Sequence, residues 1–158
     1  MQTIAIIGCG AIAEAVAGYL VDHDDVELRV VIVRPGGDRR ARDVFGAGVE
    51  TASRFDELSS QVDLAVDCAG HEALRQHGAA ALSRGINLIT VSSGALADAG
   101  LYDRLVSAAH LGETQLRVVS GAICELDALS AGSVGTLSHV TFRGRKPPQG
   151  WRGSPAQA

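Results

Sequence analysis

Thr3-Ile4-Ala5-Ile6-Ile7-Gly8-Cys9-Gly10-Ala11-Ile12-Ala13 is where this sequence commits to a fold. Thr3 to Ile7 is a β-branched, continuously apolar run, the pattern of a strand buried on both faces of a parallel sheet. Gly8 stops it. From Ala11 to Val21 the larger apolar residues Ile12, Val16, Tyr19 and Leu20 recur at helical spacing, so the segment reads as strand, tight turn, helix. In such a unit Gly8 permits the turn, Gly10 lets the backbone approach a pyrophosphate, and Ala13 stands in for a third glycine where helix packs on strand. The helix amino terminus, with Ala11 and Ile12, offers amide donors and partial positive charge to the phosphates. A bare glycine turn that binds nothing has the same three small residues; the flanking strand and helix favour the dinucleotide reading.

The rest of the chain repeats the alternation. Leu28 to Val33 is a second apolar run, ended by Pro35, Gly36 and Gly37, and a short helix is expected from Asp38 to Phe45. Leu64–Cys68 and Asn87–Val91 read as further strands, with an alanine-rich crossover helix from His71 to Arg84 between them. Ala97–Ala109 reads as a helix and Gln115–Val119 as a strand. This order predicts an α/β fold of Rossmann type, a doubly wound and largely parallel sheet, over residues 1–134. Leu137–Phe142 is expected to be one more strand, and the proline- and glycine-rich end is read, over 135–158, as the truncated start of a second, α+β substrate and dimerisation domain.

Composition bounds the function. The chain has 158 residues, 46% hydrophobic and 20% charged, which describes one globular domain and little more. A net charge of -4 gives no electrostatic pull toward nucleic acid. The amino terminus lacks a basic region and its apolar run is cut by glycine, so neither a signal peptide nor a membrane span is expected and a cytoplasmic location is. Cys9, Cys68 and Cys124 are far apart in apolar surroundings, which reads as reduced thiols rather than a disulfide framework or a metal site.

About twenty residues past the glycine turn, a NAD-specific site places an acid on the adenosine ribose. Here the second strand ends in Arg34, with Arg39 and Arg40 following. These arginines read either as receivers of a 2′-phosphate, which a planar guanidinium suits, or as solvated surface charge. Use of NADP, or of NAD and NADP both, follows from the first reading. Asp67-Cys68-Ala69-Gly70-His71, Ser92-Ser93-Gly94-Ala95 and Ser120-Gly121-Ala122 leave three strands with small side chains and free amides, the design expected beside a cofactor. His71 is read as a helix-start residue facing the dinucleotide or packing, with no catalytic role. His23, His77, His110 and His139 have no evident partner and none is assigned a role.

Together GCGAIA, DCAGHEAL, VSSGALAD, SGAICELDAL and GRKPPQGWRGSPA resemble the aspartate dehydrogenase family along the whole chain. The resemblance implies NAD(P)-dependent oxidation of L-aspartate to iminoaspartate, which yields oxaloacetate and ammonia or feeds nicotinamide-cofactor biosynthesis, in a homodimer. It carries cofactor contacts onto Gly8, Gly10, Ala11, Ile12, Ala69, Gly70, His71 and Ala122. It carries no catalytic residue onto this sequence, because the family's catalytic histidine and a cofactor-binding asparagine belong to the later substrate domain. The chain departs from the family pattern at Cys124 and Glu125, where small or apolar residues are usual, and at Ala13. The expectation is therefore a dinucleotide-binding part that is inactive by itself. Arg143, Arg145 and Lys146 read either as cations for a dicarboxylic amino acid or as a solvated connector. A stand-alone dinucleotide sensor and a related imine reductase or homoserine-type dehydrogenase are the competing readings.

Overall fold

In a computed structural model of the chain, the described residues are 1–119, 130–141, 143–145 and 147–151. Two compact units divide it, Met1–Ala122 and Ile123–Ala158.

The first unit is built on six parallel strands: β1 (Gln2–Ile7), β2 (Val26–Ile32), β3 (Glu50–Ala52), β4 (Leu64–Asp67), β5 (Asn87–Thr90) and β6 (Leu116–Val118). Their order across the sheet is β3-β2-β1-β4-β5-β6. The chain thus builds outward from β1 to one edge, returns to lay β4 on the other side of β1, and builds to the opposite edge. This is the doubly wound Rossmann order, with its topological switch point between β1 and β4. Helices α1 (Ala11–Leu20), α2 (Asp38–Phe45), α3 (His71–Leu82) and α4 (Ala99–Gly112) connect the strands.

Strand alternation sorts the core into layers. Ala5 and Ile7 point, with Val30 and Ile32, into a large cluster with Leu74 and Leu82 of α3 and Leu101 and Leu105 of α4. Ile4 and Ile6 point the other way, onto Ala13 of α1, while Val31 and Val33 meet Ala41 of α2. Ala13 is fully buried, so the third glycine position is used here for close helix–strand packing with a single methyl group.

Several element ends differ from the expectation. Strand β3 has three residues, too short for a periodicity to show, and its place is fixed by pairing with Val30–Ile32. Arg29 interrupts the apolar run of β2 at a register shift against Ile4 and Ala5, and its guanidinium pairs with Glu27. A bulge of this kind lets a charged side chain enter a strand without entering the core. Helix α4 starts at Ala99, after a 3-10 turn over Ser93–Ala97, because the Asp98 carboxylate accepts the Leu101 amide at 3.0 Å and caps the helix there. In the second unit, residues 137–141 are exposed and form no strand, since no described segment pairs with them; Phe142 lies outside the described residues. No described helix is long and apolar enough to cross a membrane.

Candidate functional site

At the carboxyl ends of β1, β2 and β4 lies a cleft of about 700 Å³, the crevice that the reversal of strand order opens. Its base is the turn after β1. The Gly8 amide donates to the Ile32 carbonyl at 2.8 Å, tying this turn to β2, and the Cys68 amide donates to the Ile7 carbonyl at 3.0 Å, tying the β4 exit to it. Gly8 adopts φ +104°, and a Cβ there would stand 2.9 Å from the Ala69 Cβ. Both facts demand glycine. Gly10 is different: it is in extended backbone at φ -97° and ψ -176°, and nothing lies within 4 Å of where its Cβ would be. Its missing side chain leaves space toward the cleft rather than relieving a protein contact. Gly10 also precedes α1, whose first turn has no side-chain cap, so its leading amides are available to an anion.

Arg34 and Arg40 line one part of the cleft beside the Pro35–Gly37 turn. Arg40 also faces Glu14 of α1 at 3.7 Å, in an exposed pair that exchanges readily with solvent or ligand. Arg39, exposed, is not among the lining residues. The opposite wall is α3, which presents Glu72, Ala73, Gln76 and His77 at helical spacing. His77 is buried with its ring edge-on to Phe55, centroids 6.3 Å apart, and burial lowers its pKa below the ordinary 6.5, against a smaller opposing pull from the Asp67 carboxylate. Burial, and then Asp67, push the Cys68 thiol up to about 11, so it is a neutral part of the wall.

The loops after β4 and β5 are held together by a carboxylate. Asp67 is fully buried; its Oδ1 accepts the Ala69 amide at 3.0 Å, and its Oδ2 accepts the Thr90 and Ser92 hydroxyls, each at 2.7 Å. Thr90 Oγ1 in turn accepts the Ser92 amide at 2.9 Å. In the sequence Asp67 and Ser92 stand only as strand-end residues, with no sign of this shared task. The sequence signal is a polar residue closing each of two apolar strands, Asp67 after Val66 and Thr90 after Ile89, which the register places side by side.

Of the expected site residues, Gly8, Gly10, Arg34 and Ala69 line the cleft. Ala11 and Ile12 are exposed in the first turn of α1, with Ile12 53% exposed. Gly70 caps α3, and the His71 ring packs on Gly94, where a Cβ would stand 2.9 Å from its Cε1. Ala122, Cys124, Glu125 and Lys146 lie outside the described residues, and Arg143 and Arg145 are exposed in the second unit. Among the described residues no cluster of His, Cys, Asp and Glu is placed to hold a metal ion. The donor set is that of a binding cleft: backbone amides and open space at one end, guanidinium groups and a helix wall at the other. A dinucleotide fits it, as the unfilled space at Gly10 shows most directly.

Residues 8–119 match the family described as the homoserine dehydrogenase NAD-binding domain. The chain is 50% identical over 154 residues to an L-aspartate dehydrogenase of Ruegeria pomeroyi, covering 98% of this chain and 54% of that protein. It is 42% identical over 160 residues to one from Ralstonia nicotianae, covering 99% and 60%. The crystal structure of aspartate dehydrogenase from Thermotoga maritima matches with a TM-score of 0.62 at 29% identity, covering 83% of this chain and 51% of that one. The chain thus spans little more than half the length of the curated relatives it matches. It belongs to the homoserine dehydrogenase NAD-binding-domain family, with L-aspartate dehydrogenases as relatives along nearly its whole length.

Proposed function

We propose that this chain is the cofactor-binding part of an NAD(P)-dependent L-aspartate dehydrogenase, which oxidises L-aspartate to iminoaspartate. The single observation that carries the reading is the glycine turn at the switch point, where Gly10 leaves empty space facing uncapped helix amides. In this reading Gly8, Gly10, Ala11 and Ile12 seat the pyrophosphate; Arg34 meets the adenosine ribose or its 2′-phosphate; and Ala69, Gly70, His71 and Ala122 border the cofactor beyond it. When bound, the nicotinamide accepts the hydride from the amino acid α-carbon. The chain's own residues bind and orient: Asp67 fixes the loops that carry Ala69 and Ser92, so the walls are set before ligand arrives.

Oxidising an amino acid further requires a base for the ammonium proton and cations for two carboxylates. The reading gives those tasks to a substrate and dimerisation domain that begins at about residue 135, within a cytoplasmic homodimer. The relatives' greater length supports this division. The test is a calorimetric titration of the 158-residue polypeptide with NAD and NADP, alongside absorbance assays with L-aspartate and, in reverse, with oxaloacetate and ammonia. Binding without turnover is expected. Failure to bind either dinucleotide overturns the assignment, and robust turnover overturns the division of labour.

A further inference from the structure

The α3 wall of the cleft carries one polar side chain that no other described group engages. Glu72 and Arg75 face each other at 3.9 Å, and Arg75 also reaches Asp98 at 4.0 Å, neither Arg75 nor Asp98 being a lining residue of the cleft. His77 is buried against Phe55. Gln76, one turn beyond Glu72, is exposed and lines the cleft, with no side-chain hydrogen bond to any described residue.

Across the cleft the β2–α2 turn contributes Pro35 and Gly36 next to Arg34. Gly36 has open space around its missing side chain, and Ala73 contributes only a methyl group from α3. The small groups Gly36 and Ala73 and the ring of Pro35, lining the cleft beside Arg34, leave room suited to a flat heteroaromatic base. Its rim then needs a donor and an acceptor side by side, and a carboxamide supplies both. Glutamine matches adenine in this way, giving its N–H to a ring nitrogen and taking the exocyclic N6 hydrogen.

We propose that Gln76 reads the adenine base of the dinucleotide through its carboxamide and is the residue that makes the cleft selective for an unmodified adenine edge. The inference rests on the dinucleotide reading above and adds a named specificity residue to it. A site built around such hydrogen bonds discriminates against an analogue that has lost them, because its polar group is then left without a partner.

The experiment titrates the 158-residue chain with NAD and with 1,N6-etheno-NAD, in which a fused ring removes the N6 donor and the N1 acceptor. The unaltered chain is expected to bind NAD about fivefold or more tightly than the etheno analogue. In Gln76→Ala, an exposed position where the fold is not at stake, NAD binding weakens by a similar factor and the preference falls to about one. Equal binding of both dinucleotides by the unaltered chain overturns the proposal while leaving the dinucleotide site intact. A preference that persists undiminished in Gln76→Ala also overturns it, since cleft shape and not the carboxamide then discriminates. If neither dinucleotide binds, the dinucleotide reading itself fails and takes this proposal with it.

Discussion

The Asp67 carboxylate and the Thr90 hydroxyl meet at 2.7 Å, with both residues fully buried, at the carboxyl ends of neighbouring strands. Asp67 also holds the Ser92 hydroxyl and the Ala69 amide, so one side chain joins two loops of the cleft. Asp67→Ala leaves those donors buried without their acceptor and is expected to lower unfolding stability by roughly 2–4 kcal/mol. Asp67→Asn keeps the shape but turns an NH2 donor toward either the Ala69 amide or the two hydroxyls, and is expected to cost roughly 1–3 kcal/mol. Urea denaturation measures both; an alanine variant within 0.5 kcal/mol of the parent would remove the carboxylate from this role.

Gly8 and Gly10 are expected to respond in opposite ways. Gly10→Val places its side chain in the open space of the cleft, in backbone that valine accepts, so circular dichroism and melting stay near the parent while NAD and NADP binding is lost. Gly8→Ala meets Ala69 at 2.9 Å in a left-handed conformation, so it destabilises the fold by about 1–3 kcal/mol. A folded Gly10→Val that binds either cofactor normally would sink the pyrophosphate assignment.

Arg34 stands where an acid would favour NAD, so the chain is expected to bind NADP at least as tightly as NAD. Arg34→Ala should weaken NADP by about tenfold, equivalent to about 1.4 kcal/mol, and leave NAD within about twofold. Arg40 shares the cleft, and its exposed pair with Glu14 leaves it able to add to the phosphate contact. A parent preference for NAD beyond about tenfold, or equal losses for the two cofactors in the variant, would show that the guanidinium does not read the phosphate.

Glu50 provides an acid-sensitive contact away from the cleft. Its carboxylate accepts the Ser59 amide at 2.8 Å, the Ser60 amide at 2.9 Å and the Ser59 hydroxyl at 3.0 Å. The Ser59 amide, first among these, holds its pKa down from 4.5 to about 2. A depressed folded-state pKa contributes stability that is fully present above the unfolded value and is lost as pH falls through the folded one. The Glu50→Gln variant should therefore be less stable than the parent at pH 7 by about 1 kcal/mol, with the gap closing between pH 4.5 and 2. Denaturation curves across that range check it, and a gap independent of pH would exclude the carboxylate as its source.

The sequence by itself determined the opening unit, because its signals are local. Four apolar residues after Thr3, two glycines and a helical stripe fix strand, turn and helix from Thr3 to Leu20 without reference to the rest of the chain. The same logic placed Arg34 at a strand end and identified most of the later strands and helices. Strand β3 escaped because three residues carry no period, and only pairing with β2 makes them a strand. Tertiary structure alone decided that Asp67 meets Thr90 and Ser92, 23 and 25 positions away, and that Gln76 lines the same cleft as Gly36. It also supplied the cause behind the two roles read for the glycines: Gly8 is required by backbone conformation and by the contact with Ala69, whereas Gly10 is bounded by empty space. Such distinctions depend on which side chains the parallel register and the reversal at β1 and β4 bring together, and hydrophobic periodicity, which reports only the face a residue occupies, contains no record of its neighbour across the sheet.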